Sequence, residues 1–197
     1  VFIATPCESY SVAHRPKLRS SSQPRGLEPV PDDWRRYLAK HNAIADFTAQ
    51  VARAALELGV AVAIENPADR GIEGSMAYWR KYRDHGSLWR MPEVAALGLQ
   101  MRTFAQCAFD APWQKFTTIA HSEDMEVELR ELARYVCKHG QGRHVSVAHG
   151  RTAQGVSRAN MAAAYPLAMS TFLAEAIVYA VGRAQGAMEG AAQTPQV

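Results

Sequence analysis

Two stretches of this sequence carry residues whose types and positions suit covalent chemistry. Val1-Phe2-Ile3-Ala4 is apolar and β-favouring and runs into Thr5-Pro6-Cys7-Glu8-Ser9-Tyr10-Ser11, which reads as a buried strand delivering one thiol to its carboxyl end. Val60-Ala61-Val62-Ala63-Ile64 is a second apolar run, and it ends in Glu65-Asn66-Pro67. Open α/β sheets place their sites at the carboxyl ends of strands, so Cys7 and Glu65 are expected at one sheet edge. A cysteine in such a place is ordinarily inert packing and attacks only where its thiolate is favoured. A carboxylate at the end of a buried strand is costly unless it is hydrogen-bonded to some purpose. Together they suit a nucleophile and a group that holds or delivers a proton. Cys7 with His14 is the alternative of a cysteine hydrolase, for which the sequence offers no glycine-rich oxyanion turn and no third triad member.

The elements that must position these groups follow from composition. Val12 to Asp33 contains four prolines and the run Ser20-Ser21-Ser22, so it reads as a long loop, and His14, Arg15, Lys17, Arg19 and Arg25 make it a basic flap beside Cys7. Asp32-Asp33 start a helix that runs from Trp34 to Leu58 without Gly or Pro and stops at Gly59. Its expected buried face is Ile44, Phe47, Thr48, Val51, Ala55 and Leu58. As the crossover of a βαβ unit, this helix makes the strand over 60–64 parallel to the first. Ala68 to Pro92 mixes Trp79, Tyr82, His85 and Trp89 without periodicity and suits edge packing or base stacking. Gln100–Phe109 and Gln114–His121, joined by Asp110-Ala111-Pro112, predict an antiparallel pair. A helix is expected from Ser122 to Val136 and another from Asn160 to Gln185, interrupted near Tyr165-Pro166, leaving Gly186–Val197 as a flexible tail.

The totals narrow the class. A chain of 197 residues suits one domain, here drawn over 1–185, and 48% hydrophobic with 21% charged residues fits a folded protein. The net charge of +3 permits contact with nucleic acid without requiring it. Three widely spaced cysteines, Cys7, Cys107 and Cys137, argue against a disulfide framework and for a reducing compartment, cytoplasmic or nuclear. No apolar run reaches the length of a membrane span. Cys137, His139, His144 and His149 invite a zinc reading, but their spacing matches no closed site well, and no metal is expected.

Thr5-Pro6-Cys7-Glu8-Ser9-Tyr10-Ser11 resembles the Pro-Cys-Gln-x-Phe-Ser signature of DNA cytosine-5 methyltransferases, and Glu65-Asn66-Pro67 resembles their Glu-Asn-Val. Gln106-Cys107-Ala108-Phe109, Trp113-Gln114-Lys115-Phe116-Thr117 and Ser87-Leu88-Trp89 resemble stretches of a divergent methylase-like group, with Asp110 where that group has glycine. The resemblance implies a fold: an α/β, partial Rossmann-like methyltransferase sheet, mostly parallel with an antiparallel hairpin and with helices on both faces. It also implies a chemistry. Cys7 attacks C6 of a flipped-out cytosine, Glu65 holds N3 and the exocyclic amine, and Asn66 fixes the cysteine loop. S-adenosylmethionine is the implied methyl donor, with Pro6 and Pro67 beside it. DNA is the implied partner, met by Ser11, Arg15, Lys17, Arg19 and a base-contacting Lys115. The glycine-rich strand and turn of the cofactor pocket normally precede the Pro-Cys loop, so this chain is expected to need an N-terminal segment or a second chain for activity. The competing expectation is a non-catalytic nucleic-acid-binding module on a degenerate methyltransferase fold.

Overall fold

The structure, a computed structural model, describes residues 1–139, 143–144, 146 and 150–192, with backbone alone over 184–192. A four-stranded sheet in the order β1-β2-β4-β3 forms its centre: β1 (Phe2–Ala4), β2 (Ala63–Pro67), β3 (Gln100–Ala105) and β4 (Phe116–His121). β1 pairs in parallel with β2, whereas β4 is antiparallel to both β2 and β3. The expected antiparallel hairpin is present. The sheet is nevertheless mixed rather than mostly parallel, because the hairpin inserts its reversed strand between β2 and β3 and so converts two of the three pairings.

Helix α1 (Asp32–Glu57) begins with two carboxylates in its first turn and ends before Gly59, whose φ of +67° is a conformation glycine adopts without strain. Its packed face shares Thr48 and Ala55 with the expected one and otherwise differs. Leu38, His41, Ala45, Thr48, Ala49, Ala52 and Ala55 are buried, while Phe47 is 64% and Leu58 79% exposed. Small side chains let the helix lie close to the sheet, and Phe47 and Leu58 are left outside. Alanines 45, 49, 52 and 55 form one core with Val62, Ile64 and Ala120.

The opposite face of the sheet is covered by α5 (Leu167–Ala192), whose Met169, Leu173, Ala176 and Ala180 pack with Ala63, Phe104 and Ile119. Its helical backbone runs to Ala192, beyond the expected end at Gln185; residues 193–197 lie outside the described residues. Between β4 and α5 the single expected helix over 122–136 is a series of tighter turns, with α3 confined to Glu126–Leu129 and 3₁₀ turns on either side. Leu129 and Leu132 are buried and Tyr135 is half-buried, three residues apart, which is the period of a 3₁₀ turn. The Tyr135 carbonyl then accepts from the Ala105 N–H at 2.8 Å, drawing the chain back to the end of β3. Two further short helices are α2 (Pro92–Ala95) and α4 (Arg158–Met161). Among the described residues no helix is long and apolar enough to cross a membrane.

Candidate active site

β2 begins at Ala63, three residues later than the sequence pattern predicts, and runs through Glu65-Asn66-Pro67. The preceding residues are engaged elsewhere: Val60 N–H bonds the Ala55 carbonyl at the end of α1, and Val62 N–H bonds Ser122 Oγ. The consequence for the site is direct. Successive side chains on a strand point to opposite faces, so Glu65 shares the face of Ala63, under α5, and Asn66 shares that of Ile64, under α1.

On the α1 side, Asn66 Nδ2 donates to the Thr5 carbonyl at 2.7 Å, and Thr5 Oγ1 lies 2.9 Å from Thr48 Oγ1 on α1. These bonds hold the residue two positions before Cys7, so Asn66 is placed to fix the cysteine loop. Cys7 leads into a 3₁₀ turn, Glu8–Tyr10, closed by Tyr10 N–H on the Cys7 carbonyl at 3.0 Å. On the α5 side, Glu65 is 5% exposed, and its Oε2 accepts from the Tyr165 hydroxyl at 2.8 Å. Glu65 Oε1 is buried and has no hydrogen-bond partner among the described residues.

Lys115 completes the group. Its Nζ donates to the Ala162 carbonyl at 3.1 Å and lies 5.9 Å from the Tyr165 ring centroid. Burial raises the Cys7 thiol, and the Lys115 charge opposes that rise. Burial likewise raises Glu65, again opposed by Lys115 and by the Tyr165 hydroxyl. Removing the ammonium as Lys115→Met therefore makes the Cys7 thiolate scarcer. We expect Cys7 to be alkylated by iodoacetamide about 3- to 10-fold more slowly in that variant, read from the Cys7 peptide by mass spectrometry; an unchanged rate would separate Lys115 from the thiol.

The loop after Cys7 is packed rather than mobile. Gly86 abuts it so closely that an added Cβ would lie 2.5 Å from Arg19 Cβ and 2.7 Å from Ser20 N. Arg19 departs from the expectation of a DNA contact: it is 3% exposed, bonds Ser9 Oγ, Asn42 Oδ1 and the Pro24 carbonyl, and stacks 4.1 Å over the Tyr10 ring. It braces the cysteine loop from behind. Lys17 pairs with Asp84 at 2.7 Å, and Arg25 pairs with Asp46 and Glu93. Arg15 is exposed and bonds the Val12 and His14 carbonyls, while Ser11 Oγ accepts from Ala13 N–H. His14 packs against Trp34 and Tyr37 and bonds the Pro16 carbonyl, an arrangement that commits its ring away from a Cys–His dyad.

Two groups that spacing did not reveal hold the site from outside. Asp69, two residues past Pro67, bonds Arg90 Nε at 2.6 Å, Ser87 Oγ at 3.1 Å and Gly71 N–H at 2.8 Å. His85 accepts from Arg70 N–H through Nδ1, which leaves Nε2 to donate to the Tyr10 carbonyl at 2.8 Å. Through this imidazole the cysteine loop is tied to the segment after β2. Trp89 Nε1 donates to the Pro67 carbonyl at 2.8 Å, which accounts for the burial of Ser87-Leu88-Trp89.

Comparison of the chain with protein-family models, curated proteins and solved structures finds no match. The chemistry must therefore be read from the geometry: a thiol, a carboxyl with one free oxygen, and a cation, gathered at the end of β1 and β2.

Proposed function

We propose that this chain carries the base-attacking site of a DNA (cytosine-5) methyltransferase-like protein, with Cys7 as nucleophile, Glu65 as the group that holds the base and Asn66 as the positioning residue. One observation carries the reading: Glu65, whose charge bears on Cys7, has a buried Oε1 with no hydrogen-bond partner among the described residues. Leaving a buried polar group unsatisfied costs on the order of 1–3 kcal/mol, a cost a bound cytosine would relieve. Burial also favours the protonated carboxyl, the form that donates a hydrogen bond to N3. Addition of the thiolate to C6 forms the S–C6 bond and breaks the C5=C6 π bond. The displaced electron pair is accommodated toward N3, where the Glu65 proton sits, and C5 becomes nucleophilic.

Other features agree with a Rossmann-like methyltransferase sheet. Three strands run in one direction, and only the hairpin strand β4 is reversed. Asp110, where the resembling group has glycine, has a φ of 66°, the left-handed conformation that favours glycine. Lys17 and Arg25 are paired to acidic side chains, so the flap gives little support to a purely electrostatic DNA-binding module. Arg15, Ser11 and Lys17 remain the flap groups for DNA.

Neither of two cavities in the structure would place S-adenosylmethionine beside Cys7. Cavities of about 550 and 860 Å³ are lined by other segments and reach none of Pro6, Cys7 or Pro67. Among the described residues β1 is an edge strand, paired only with β2, and such an edge is open to a further strand. An N-terminal segment or a second chain along that edge would complete the site.

The full-length gene product, given S-adenosylmethionine and DNA bearing 5-fluorocytosine, is expected to form a covalent adduct on the Cys7 peptide, lost in Cys7→Ala. Absence of any adduct with the folded full-length protein would overturn the reading.

A further inference from the structure

The turn after β3 and the segment after the 3₁₀ turns converge on a second cluster that shares no residue with the Cys7 site. Cys107, Cys137, His139 and His144 each offer one ligand atom, and all four atoms lie within 4.8 Å of one another. Cys137 Sγ is 3.3 Å from His144 Nε2 and 3.9 Å from His139 Nδ1, and the two imidazoles lie 4.6 Å apart, tilted by 49°. Around a tetrahedral zinc with Zn–S of about 2.3 Å and Zn–N of about 2.0 Å, ligand atoms stand roughly 3.3–3.8 Å apart. The cluster is therefore one small contraction from a closed coordination sphere.

The geometry points to a structural zinc site, Cys₂His₂, made by Cys107, Cys137, His139 and His144. Spacing alone could not reveal it, because Cys137-x-His139 and His144 provide only three ligands and the fourth comes from 30 residues upstream. Two thiolates and two imidazoles in a tetrahedral set suit zinc over the harder cations, which take oxygen ligands. Binding releases one proton from each of the two thiols to solvent and involves no change of oxidation state. Gln114 Nε2 lies 3.7 Å from Cys137 Sγ and supplies the outer hydrogen bond that a thiolate ligand ordinarily receives.

Four protein ligands leave no open position, so the ion clamps rather than catalyses. What it clamps is specific. Cys107 sits in the 3₁₀ turn Gln106–Phe109, and Gln114 immediately precedes Lys115, the cation that bears on Cys7 and Glu65. Pairing of Trp113 with Ser146 draws the same two segments together. The ion would thus hold the hairpin connection that carries Lys115 against the chain leading to α4.

The protein purified without chelator is expected to contain about one zinc per chain by elemental analysis. Exchange into Co(II) is expected to give the intense visible bands of a tetrahedral site, with thiolate-to-cobalt charge transfer in the near ultraviolet. Cys107→Ser should halve the charge-transfer intensity and weaken Zn(II) binding on the order of 100-fold. His144→Cys keeps four ligands, so it should bind Zn(II) and raise the charge-transfer intensity about 1.5-fold, which guards against mere misfolding as the cause of any loss. Less than a tenth of an equivalent of zinc, a Cys107–Cys137 disulfide in freshly purified protein, or a Co(II) spectrum unchanged by both variants would overturn the assignment.

Discussion

Glu65→Gln is expected to slow formation of the Cys7 adduct with 5-fluorocytosine DNA by about 100-fold or more while leaving thermal stability unchanged or raised. The two halves of this result have one cause. The carboxyl is buried, which favours its neutral form, and only Oε2 is bonded, to the Tyr165 hydroxyl. An amide keeps an oxygen for Tyr165 and removes a group that becomes costly to bury whenever it ionises. It also lacks the acidic proton that the attacked base requires. The sign of the pH effect follows. Glu65 is raised by burial, so the carboxylate's burial penalty is absent at low pH and appears as pH rises through the folded value. The wild type should lose stability relative to Glu65→Gln as pH increases through that range. Thermal denaturation across pH, with adduct kinetics, checks both halves. Loss of stability alone, with adduct formation intact, would assign Glu65 to the scaffold.

Asp69→Ala is expected to destabilise the fold by about 3 kcal/mol, seen as a lower urea midpoint at unchanged slope. Its side chain is 1% exposed and serves Arg90, Ser87 and the Gly71 N–H at once, with His85 at 3.6 Å. Burial alone would raise this carboxyl, but the bonds from the Gly71 N–H and the Arg90 guanidinium, with the His85 ring close by, outweigh it and hold it at about 2, against an ordinary 3.8. Because the folded value is depressed, the associated stability is fully present above about pH 4 and is lost as pH falls toward 2. The difference corresponds to about 2 kcal/mol. Asp69→Asn should therefore be less stable than wild type near neutrality and approach it below pH 3. Asp84 is also held at about 2, but it is half-exposed, and solvent screening makes its Lys17 pair a minor contributor to the same window. Parallel stability curves for wild type and Asp69→Asn from pH 2 to 7 would refute the assignment.

Local sequence was sufficient for the parts of the fold that depend on local rules. The Asp32-Asp33 start, the absence of Gly and Pro and the stop at Gly59 bounded α1 to within a residue or two. The Asp110-Ala111-Pro112 turn between two β-favouring runs gave the β3–β4 hairpin. The face of α1 was not legible in the same way. Counting large apolar residues selects Phe47 and Leu58, whereas packing selected the alanines, because close approach to the sheet rewards small volume. The flap was misread for a related reason. Its composition gives basic and loop-forming residues, but whether Arg19 faces solvent or braces Tyr10 depends on Ser9, Asn42 and the close approach of Gly86, none of which is adjacent to it.

The same division holds at the two sites. Sequence by itself named Cys7 and Glu65, because each lies at the end of a strand-like run, where sheet topology restricts what a side chain can reach, and the motif resemblance added Asn66 and Lys115. Tertiary structure alone decided that Tyr165, 100 residues from Glu65, occupies one carboxyl oxygen and leaves the other free. It alone brought Cys107 to Cys137, His139 and His144. The physical reason is common to both. A hydrogen bond or a coordination sphere needs atoms within about 2–4 Å, and no pattern in one segment records which distant segment the packed sheet will bring to that distance.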